Sequence, residues 1–263
     1  MIQNAIDTDQ LILIAGPCAV ESWEICEQVA RQLKAITESL DICLVFKASY
    51  RKANRTRLDS FTGIGDEKAL AILQRIKDNF ALPICTDVHE VEEIEEVTKI
   101  ADVIQIPAFL CRQTALLQAA GKSNKWVNVK KGQFSAPDQM KFAIDKVMST
   151  GNKKVLLTER GASFGYGNLV VDFRSIPVMQ QFAPVVLDCT HSLQQPNQQA
   201  GVTGGQPQYI EMLAKAGIAA GVDALFIETH PNPSEALSDG ANMLPLNQIE
   251  ALLQKVMSIR KVL

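Results

Sequence analysis

The sequence predicts an α/β fold, and specifically a TIM (β/α)8 barrel. Eight short runs rich in Val, Ile and Leu recur along the 263 residues. They lack the polar alternation of half-exposed strands, as is typical of parallel strands buried on both faces. Segments of helical period lie between them, and about 260 residues suit eight such units. A closed barrel is therefore favoured, with an open doubly wound sheet as the alternative.

The predicted strands are apolar runs that each end in polar or chemically reactive residues. Because the carboxyl ends of barrel strands face one side of the molecule, these polar ends are predicted to meet there. The runs are LILIAGPC from Leu11, LVFKAS from Leu44, PICTDV from Pro83, VIQIPA from Val103, WVNVKKG from Trp126, VLLTERG from Val155, VVLDCTH from Val185 and ALFIETH from Ala224.

Predicted helices separate these strands, and two of them have a candidate N-cap. Ser22 is predicted to cap SWEICEQVARQLKAI and Asp66 to cap DEKALAILQRIKDNF, since short polar side chains accept hydrogen bonds from free backbone N–H groups. Later helices are predicted in EVEEIEEVTKI, APDQMKFAIDKVM, PQYIEMLAKAGIAA and NQIEALLQKVMSI. No linker interrupts the series, so residues 1–263 are predicted to form a single barrel domain.

Composition and charge narrow the class of protein. The chain is 47% hydrophobic with a net charge of -3, which argues against nucleic acid as a partner, because that would need a broad basic surface. No run approaches about eighteen apolar residues and no signal-peptide pattern is present at the start, so a soluble, cytoplasmic protein without a membrane partner is predicted. Six cysteines without a CxxC pair are interpreted as buried residues of a reducing compartment.

The polar strand ends supply the first candidate functional residues. In a TIM barrel the catalytic groups stand at the carboxyl ends of the strands and in the loops that follow. All three histidines of the chain fall in this set, which chance would rarely produce. In chain order the set is Cys18, Lys47, Asp87 with His89, Arg112, Lys130 with Lys131, Glu159 with Arg160, His191, and Glu228 with His230.

A dense group of cations follows the second predicted strand, in LVFKASYRKANRTR from Leu44 to Arg57. Such a segment is often a solvated basic surface. Here it begins at the end of a buried strand and includes Asn54 and Thr56, whose short polar side chains suit hydroxyl and phosphate oxygens. An anionic small molecule is therefore the predicted ligand. The cations are Lys47, Arg51, Lys52, Arg55 and Arg57.

The long loop from Ser192 to Gln208 contains no Lys or Arg. Many barrels bind phosphate in the loops after strands seven and eight. Here the anion is predicted to bind the basic segment together with Arg112, Lys130 and Arg160. The glycines of the loop favour a mobile lid, with an ordinary surface excursion as the alternative.

Lys47 and Lys130 also admit a different chemistry. Both lie at strand ends, where the Schiff-base lysine of an aldolase would lie. Such a lysine usually needs desolvation to lower its pKa, whereas these two lie among other cations. They are equally suited to permanent contacts with phosphate, and the sequence leaves both interpretations open.

A divalent metal site is a further hypothesis. Strands seven, eight and one are consecutive around a barrel, so Cys18, His191 and Glu228 can converge on one point, and Asp239 follows in the next loop. Thiolate, imidazole and carboxylate ligands suit Zn²⁺, Fe²⁺ or a similar divalent cation. The alternative is a structural Cys18 with a core or catalytic His191.

Long motifs extend from about residue 11 to the final helix. They are IAGPCAVES, FKASYRKANRT, TDVHE, DVIQIPAFLCRQT, VNVKKGQFSAP, LTERGASFGYGNLVVDFRS, LDCTHSLQ and FIETHPNPSEALSDGANMLPL. Together these motifs resemble the 3-deoxy-D-manno-octulosonate 8-phosphate synthase family. The resemblance implies a TIM barrel, commonly a homotetramer, that condenses phosphoenolpyruvate with D-arabinose 5-phosphate and feeds lipopolysaccharide synthesis.

The resemblance also implies roles for individual residues. It implies a metal-dependent branch, because Cys18 stands where the metal-free branch has Asn, with Zn, Fe, Mn or Co as the divalent metal. The catalytic residues implied are His191, Lys130, Asp239 and Asn54. Phosphoenolpyruvate would bind Lys47, Arg112, Lys130 and Arg160, with Ser49 and Lys52 close by; the sugar phosphate would bind Asn54, Arg55 and Thr56; the metal would bind Cys18, His191, Glu228 and Asp239.

The chain departs from the family pattern mainly at the sugar end. Thr56 and Arg57 stand in place of two serines, Ala115 replaces a common acid, and Gln206 stands where an arginine often follows the glycine pair. A related synthase that uses erythrose 4-phosphate is the nearest alternative, and KANRT differs from the KPRTSP-like pattern of that family. A non-catalytic anion-binding protein is a third possibility.

Overall fold

The computed structural model describes residues 1–55, 57–195 and 203–263. Eight parallel strands pair in sequence order, and the eighth pairs with the first, so the sheet closes into a barrel. The predicted TIM (β/α)8 fold is therefore confirmed. The strands are β1 Ile12–Ala19, β2 Cys43–Ser49, β3 Ile84–Asp87, β4 Val103–Ile106, β5 Trp126–Lys130, β6 Val155–Glu159, β7 Val185–Asp188 and β8 Ala224–His230.

The helices form the outer layer around these strands. Six of them lie where the sequence predicts a helix. The helices of the described residues are α1 Ile2–Asp7, α2 Trp23–Ser39, α3 Asp66–Phe80, α4 Ile94–Thr98, α5 Thr114–Lys122, α6 Met140–Met148, α7 Ser175–Met179, α8 Ile210–Ala219 and α9 Ile249–Arg260.

One of the two predicted N-caps is correct. Ser22 accepts a hydrogen bond from the backbone N–H of Ile25. It thereby satisfies one of the free N–H groups in the first turn of α2. The predicted cap at Asp66 is wrong: Gly65, with φ +98°, occupies the cap position and Asp66 is the first helical residue. There its carboxylate is stabilised by the positive end of the helix dipole, and it lies 3.4 Å from the guanidinium of Arg51.

The barrel interior is apolar at its amino-terminal end. Side chains of alternate strand positions, such as Ile12, Val45 and Phe226, form a buried cluster there. Helix α1 closes this end, because its Ile2 and Ala5 are buried in the same cluster. The carboxyl-terminal half of the interior carries polar side chains instead, and these form the site described below.

A bulge in β1 gives Cys18 its position. The pairing of β1 with β2 shifts register between Ala15 and Cys18, and Cys18 has a left-handed backbone with φ +68°. A Cβ on Gly16 would lie 1.9 Å from the carbonyl oxygen of Lys47, so only glycine fits here. The bulge therefore turns the Cys18 side chain toward the polar end of the barrel.

The structure also describes the state of the cysteines and the length of the helices. All six cysteines lie in the described ranges, and each is buried with a free thiol. Within residues 1–55, 57–195 and 203–263, none of the helices has the length and apolar content that a membrane-spanning segment requires.

Candidate active site

A cavity of about 1100 Å³ opens at the carboxyl-terminal end of the barrel. This is as large as the upper range of small-molecule sites, which is about 1,000 Å³. Among the described residues, five cations and two carboxylates line it, so positive charge is in excess. The cations are Lys47, Lys52, Arg55, Lys130 and Arg160, and the carboxylates are Asp87 and Asp239.

Lys47 lies at the floor of this cavity and is 1% exposed. Its ammonium group donates to the Cys18 carbonyl oxygen at 3.0 Å, to Ser49 Oγ at 3.1 Å and to Glu228 Oε1 at 3.1 Å. Burial lowers the pKa of Lys47, but Asp87 and Glu228 outweigh that effect and raise it well above its ordinary value. Lys47 is therefore a fixed positive charge whose three donors are already engaged.

A chain of hydrogen bonds crosses the barrel next to Lys47. Thr158 donates to Asn128 at 2.6 Å, Asn128 to Gln105 at 3.2 Å, and Gln105 to Asp87 at 3.2 Å. Ser49 also donates to Asp87, at 2.8 Å. Every donor points toward the Asp87 carboxylate, so the chain stabilises its ionised form.

Asp188 organises the opposite wall of the cavity, where its carboxylate is fully buried. Its Oδ2 accepts from Lys130 Nζ at 2.5 Å and lies 2.8 Å from His191 Nδ1. Burial would raise the pKa of Asp188, but the charges of His191 and Lys130 hold it well below its usual range. Because Nδ1 faces this carboxylate, His191 Nε2 is the nitrogen that remains available, and it lies 3.6 Å from Glu228 Oε2.

Arg160 differs from the lysines because its described contacts are to neutral groups. Its Nη2 donates to the His191 carbonyl oxygen at 3.1 Å and to Gln194 Oε1 at 2.8 Å. Burial lowers the pKa of Arg160, but a guanidinium stays protonated in proteins. Arg160 therefore brings a charge to the cavity wall that no direct carboxylate contact offsets.

Lys131 and Glu159 face away from the cavity, although both lie at strand ends. Their side chains are each 2% exposed and lie 3.4 Å apart. Glu159 also accepts from the Gly161 backbone N–H at 2.7 Å and from Ser175 Oγ at 2.7 Å. Because neighbours on a strand point to opposite faces, this outer pair leaves Lys130 on the inner face.

Three residues come together as a possible cation site. The ligand atoms of Cys18, Glu228 and Asp239 all lie within 4.8 Å of one another, and Cys18 Sγ is 3.3 Å from Asp239 Oδ2. Burial raises the pKa of the Cys18 thiol, and the two carboxylates add to that effect. A divalent cation would have to displace the thiol proton, which is how thiolate ligands ordinarily form.

His191, the fourth predicted metal ligand, lies beside this group but is not part of it. The cluster is flanked by cations, since Lys47 contacts Glu228 at 3.1 Å and Lys52 lies 3.5 Å from Asp239. These lysines offset part of the negative charge. The donor set of thiol and carboxylates, with an imidazole nitrogen close by, fits a borderline divalent metal.

Arg55 connects the basic segment to the loop that carries Asp239. Its Nη1 lies 3.3 Å from Asp239 Oδ1, its Nε donates to the Phe61 carbonyl oxygen at 3.1 Å, and its Nη2 contacts Ser238 Oγ. Asn54 is exposed and lines the mouth of the cavity beside it. The basic segment therefore forms one side of the entrance.

Several other predicted residues lie elsewhere. Arg112 is exposed and does not line the cavity in this chain, and its carbonyl oxygen accepts from Lys146 instead. Ser49 is buried below the cavity, bonded to Lys47 and Asp87. Thr56 is outside the described residues, as is the 196–202 part of the predicted lid.

Of the positions where the chain departs from the family pattern, Arg57, Ala115 and Gln206 lie in the described residues and do not line the cavity. Arg57 is exposed and pairs with Asp59 at 2.5 Å. Ala115 lies in the first turn of α5 and is exposed. The backbone of Gln206 donates to the Leu193 carbonyl oxygen at 3.2 Å.

Sequence reasoning missed residues that the site depends on. Asp188 closes the apolar run VVLD, and its place at a strand end is the one indication of its role that the sequence offers. Ser238 lies 3.3 Å from Cys18 Sγ, and Gln194 binds Arg160. Neither has a sequence pattern that would have identified it, because both act through contacts distant in the chain.

Comparison with known proteins shows the family of the chain. The sequence model of the DAHP synthetase I family matches residues 4–263. Curated relatives named 2-dehydro-3-deoxyphosphooctonate aldolase include that of Desulfatibacillum aliphaticivorans, 50% identical over 95% of this chain and 92% of the relative. That of Koribacter versatilis is 51% identical over 96% and 92%, and that of Geobacter sulfurreducens is 47% identical over 95% and 92%. The chain therefore belongs to the DAHP synthetase I family and groups within it with the 2-dehydro-3-deoxyphosphooctonate aldolases.

Proposed function

We propose that this chain condenses phosphoenolpyruvate with D-arabinose 5-phosphate and water, giving 3-deoxy-D-manno-octulosonate 8-phosphate and inorganic phosphate. In this proposal the product feeds lipopolysaccharide synthesis. The observation that carries it is the cation-lined cavity of about 1100 Å³, in a chain about half identical to 2-dehydro-3-deoxyphosphooctonate aldolases over nearly its full length. Two phosphorylated substrates need such a volume and such a charge.

Phosphoenolpyruvate is assigned to the inner part of the cavity. It carries a carboxylate and a phosphate, and Lys130 and Arg160 present positive charge from adjacent strand ends. Lys47 and Lys52 add positive charge at the floor. Charge-assisted hydrogen bonds from Lys130 and Arg160, with the positive charge of the two floor lysines, offset the cost of removing the anion from water and orient it for reaction.

The sugar phosphate is assigned to the entrance, where Asn54 and Arg55 stand. Its aldehyde would then point inward toward carbon 3 of phosphoenolpyruvate. Thr56 belongs to this proposal by resemblance alone. Arg112 also remains a proposed ligand of phosphoenolpyruvate, although it does not line the cavity of its own chain.

The reaction follows from the charge distribution of phosphoenolpyruvate. Carbon 3 attacks the aldehyde carbon, so a carbon–carbon bond forms and the aldehyde oxygen takes up a proton. Positive charge develops at carbon 2, where water adds and releases a proton. The resulting tetrahedral centre expels phosphate and leaves the ketone. His191 is held by Asp188 through Nδ1, so its Nε2 can exchange a proton at this centre in the metal-free form of the site.

We further propose that the chain is metal-dependent, with Cys18, Glu228 and Asp239 as ligands and His191 as the fourth. The three clustered donors support this assignment. When bound, a divalent metal would polarise the water or the aldehyde oxygen. The alternative, in which Cys18 takes no part, is supported by Lys47 and Lys52, which already lie beside the carboxylates.

The metal proposal predicts about one divalent ion per chain and loss of activity in excess chelator. Addition of Zn²⁺, Fe²⁺, Mn²⁺ or Co²⁺ should restore activity. Cys18→Ala should lower the metal content while the barrel stays folded, because one ligand is lost and the apolar core at the other end of the barrel is unchanged. Elemental analysis paired with the chelator assay decides, and full activity in a metal-free sample would reject the proposal.

The substrate proposal is tested by phosphate release from phosphoenolpyruvate with either sugar phosphate. Arabinose 5-phosphate should exceed erythrose 4-phosphate in kcat/KM by a large factor, since a site that bonds the longer sugar leaves polar groups unpaired with the shorter one. The family name makes erythrose 4-phosphate the natural rival substrate. Equal use of the two sugars would reject the assignment.

A Schiff-base aldolase is a second candidate, because burial lowers the pKa of Lys130. A neutral amine is what carbonyl attack requires. The 2.5 Å contact with Asp188 favours the charged form instead. Borohydride treatment with substrate separates the two, since only the Schiff-base route leaves a lysine adduct.

We also propose a homotetramer in the cytoplasm. Exposed aromatic side chains support subunit contacts, since they cluster on the loops after three consecutive strands, β4 to β6. They are Phe109, Phe134, Phe164 and Tyr166. Light scattering of the purified protein measures the assembly, and a monomer at micromolar concentration would contradict it.

A further inference from the structure

The carboxylate of Glu21 lies outside the cavity and joins two loops. Its Oε1 accepts a hydrogen bond from the backbone N–H of Leu237 at 2.8 Å. Its Oε2 lies 3.7 Å from His230 Nε2, and the side chains of Glu21 and His230 are 8% and 3% exposed. Glu21 does not line the cavity, whereas its partner Leu237 does, so the carboxylate has no direct role with substrate.

His230 is oriented so that one ring nitrogen faces this carboxylate. Its Nδ1 lies 3.0 Å from the backbone nitrogen of Asn232 and 2.8 Å from the carbonyl oxygen of that residue. Nε2 is buried and has no hydrogen-bond partner in the described chain. With Nδ1 fixed on the backbone, the nearest charge that Nε2 meets is Glu21.

The three joined residues each stand close in sequence to one residue of the candidate cation site. The Leu237 hydrogen bond to Glu21 and the 3.7 Å contact between Glu21 and His230 therefore restrain the spacing of the segments that carry the ligands. Glu21 follows Cys18 by three residues, His230 follows Glu228 by two, and Leu237 precedes Asp239 by two.

The loop that carries Asp239 is also folded tightly against itself. Asp239 has a left-handed backbone with φ +50°, which costs free energy for a residue other than glycine. A Cβ on Gly240 would lie 2.1 Å from the carbonyl oxygen of Pro233. Contacts outside the loop must hold this conformation, and the Leu237 hydrogen bond to Glu21 is one of them.

We propose that Glu21 and His230 form an outer clamp that holds Cys18, Glu228 and Asp239 at the separation a divalent metal needs. They are positioning residues and touch neither metal nor substrate. The inference rests on the proposed metal dependence. Residues behind metal ligands set the orientation of those ligands, and their loss typically weakens metal binding about tenfold to a hundredfold.

The test measures Co²⁺ binding by the metal-free protein, through the thiolate-to-cobalt absorption band and competition with a chelator. Glu21→Ala should raise the Co²⁺ dissociation constant about tenfold to a hundredfold. Glu21→Gln should raise it less, because the amide oxygen still accepts from Leu237. Glu27→Ala is the matched control. Glu27 lies on α2, and its ion pair in the described residues is with Arg31, so the Co²⁺ dissociation constant of this variant should equal that of the wild type.

The outcomes separate the clamp from the metal proposal. Wild-type protein that binds no stoichiometric Co²⁺ would reject the metal site itself, and the clamp with it. If wild-type protein binds Co²⁺ and folded Glu21→Ala has the same Co²⁺ dissociation constant, the clamp alone is rejected. The same holds if Glu21→Ala only lowers the melting temperature of the metal-free protein and does not weaken Co²⁺ binding. If Glu21→Ala does not fold, an unchanged constant in Glu21→Gln rejects the clamp.

Discussion

At the scale of single residues, most cations of the cavity already have a carboxylate partner. Lys130 contacts Asp188, Lys47 contacts Glu228, and Arg55 contacts Asp239. An entering anion therefore competes with these carboxylates for the same donors. This arrangement holds the cations in place before substrate arrives, which lowers the cost of ordering them on binding.

Arg160→Ala is expected to be the cleanest loss of an anion contact. Arg160 has no carboxylate in direct contact, so its removal leaves no buried charge unpaired. A charge-assisted hydrogen bond is worth about 1.5 to 3 kcal/mol, and kcat/KM for phosphoenolpyruvate should fall accordingly. The unfolding free energy should fall less than in Lys130→Ala, because only neutral acceptors lose a partner. Arg174→Ala is the control, because Arg174 is exposed and pairs with Asp172. Near-normal kinetics in Arg160→Ala would show that this side chain serves packing instead.

Lys130→Ala should behave differently, because it affects activity and stability together. The same loss in kcat/KM is expected, and the fully buried Asp188 would lose a partner. Leaving a buried charge without its partner is strongly destabilising. Urea unfolding at neutral pH measures the difference, and a variant as stable as Arg160→Ala would contradict it.

Candidate site residues can be predicted from the sequence where they follow from one rule, that the functional groups of a TIM barrel lie at the carboxyl ends of its strands. Lys47, Lys130 and Arg160 follow from counting strands and reading the end of each one. Arg112 meets the same rule, yet the short turn Ala108–Leu110 carries the chain outward before it. Contacts such as that of Asp188 with His191 depend on side-chain direction, which strand counting does not give.

At the scale of elements, periodicity identified the strands and six helices, including the short α4 and α6, where the pattern continues into the flanking residues. It missed α1, α5 and α7, which have 6, 9 and 5 residues. A helical period needs a window of about 11 to 18 residues to be recognised. Such short helices are stabilised by packing against the barrel more than by their own sequence.

The cap of α2 offers a test at this scale. Ser22→Ala removes the hydrogen bond to the Ile25 N–H and should lower the unfolding free energy by about 1 kcal/mol. Urea unfolding measures it, with Lys34→Ala as a control, since Lys34 lies on the same helix and makes a surface ion pair with Glu38. An effect no larger than that of the control would mean that the first turn is held by packing.

At the scale of the whole molecule, closure of the sheet brings distant parts of the chain together. Cys18 and Asp239 are in contact across 221 positions of sequence, because β8 pairs with β1. The sequence predicts this closure only through the number of strands. The apolar cluster below the cavity and the polar groups above it then follow from strand parity.

The apolar cluster sealed by α1 has a kinetic consequence. In the described part of the molecule, substrates reach the floor only from the carboxyl-terminal side. The compound bound beside Lys47 and Lys130 must therefore enter before the compound bound at Asn54, and it can leave only after that second compound has left. On the proposed assignment phosphoenolpyruvate binds first and the sugar phosphate second. A non-reactive analogue of the sugar phosphate should then inhibit uncompetitively against phosphoenolpyruvate in initial-rate assays, whereas a mixed pattern would mean that the two substrates pass each other freely.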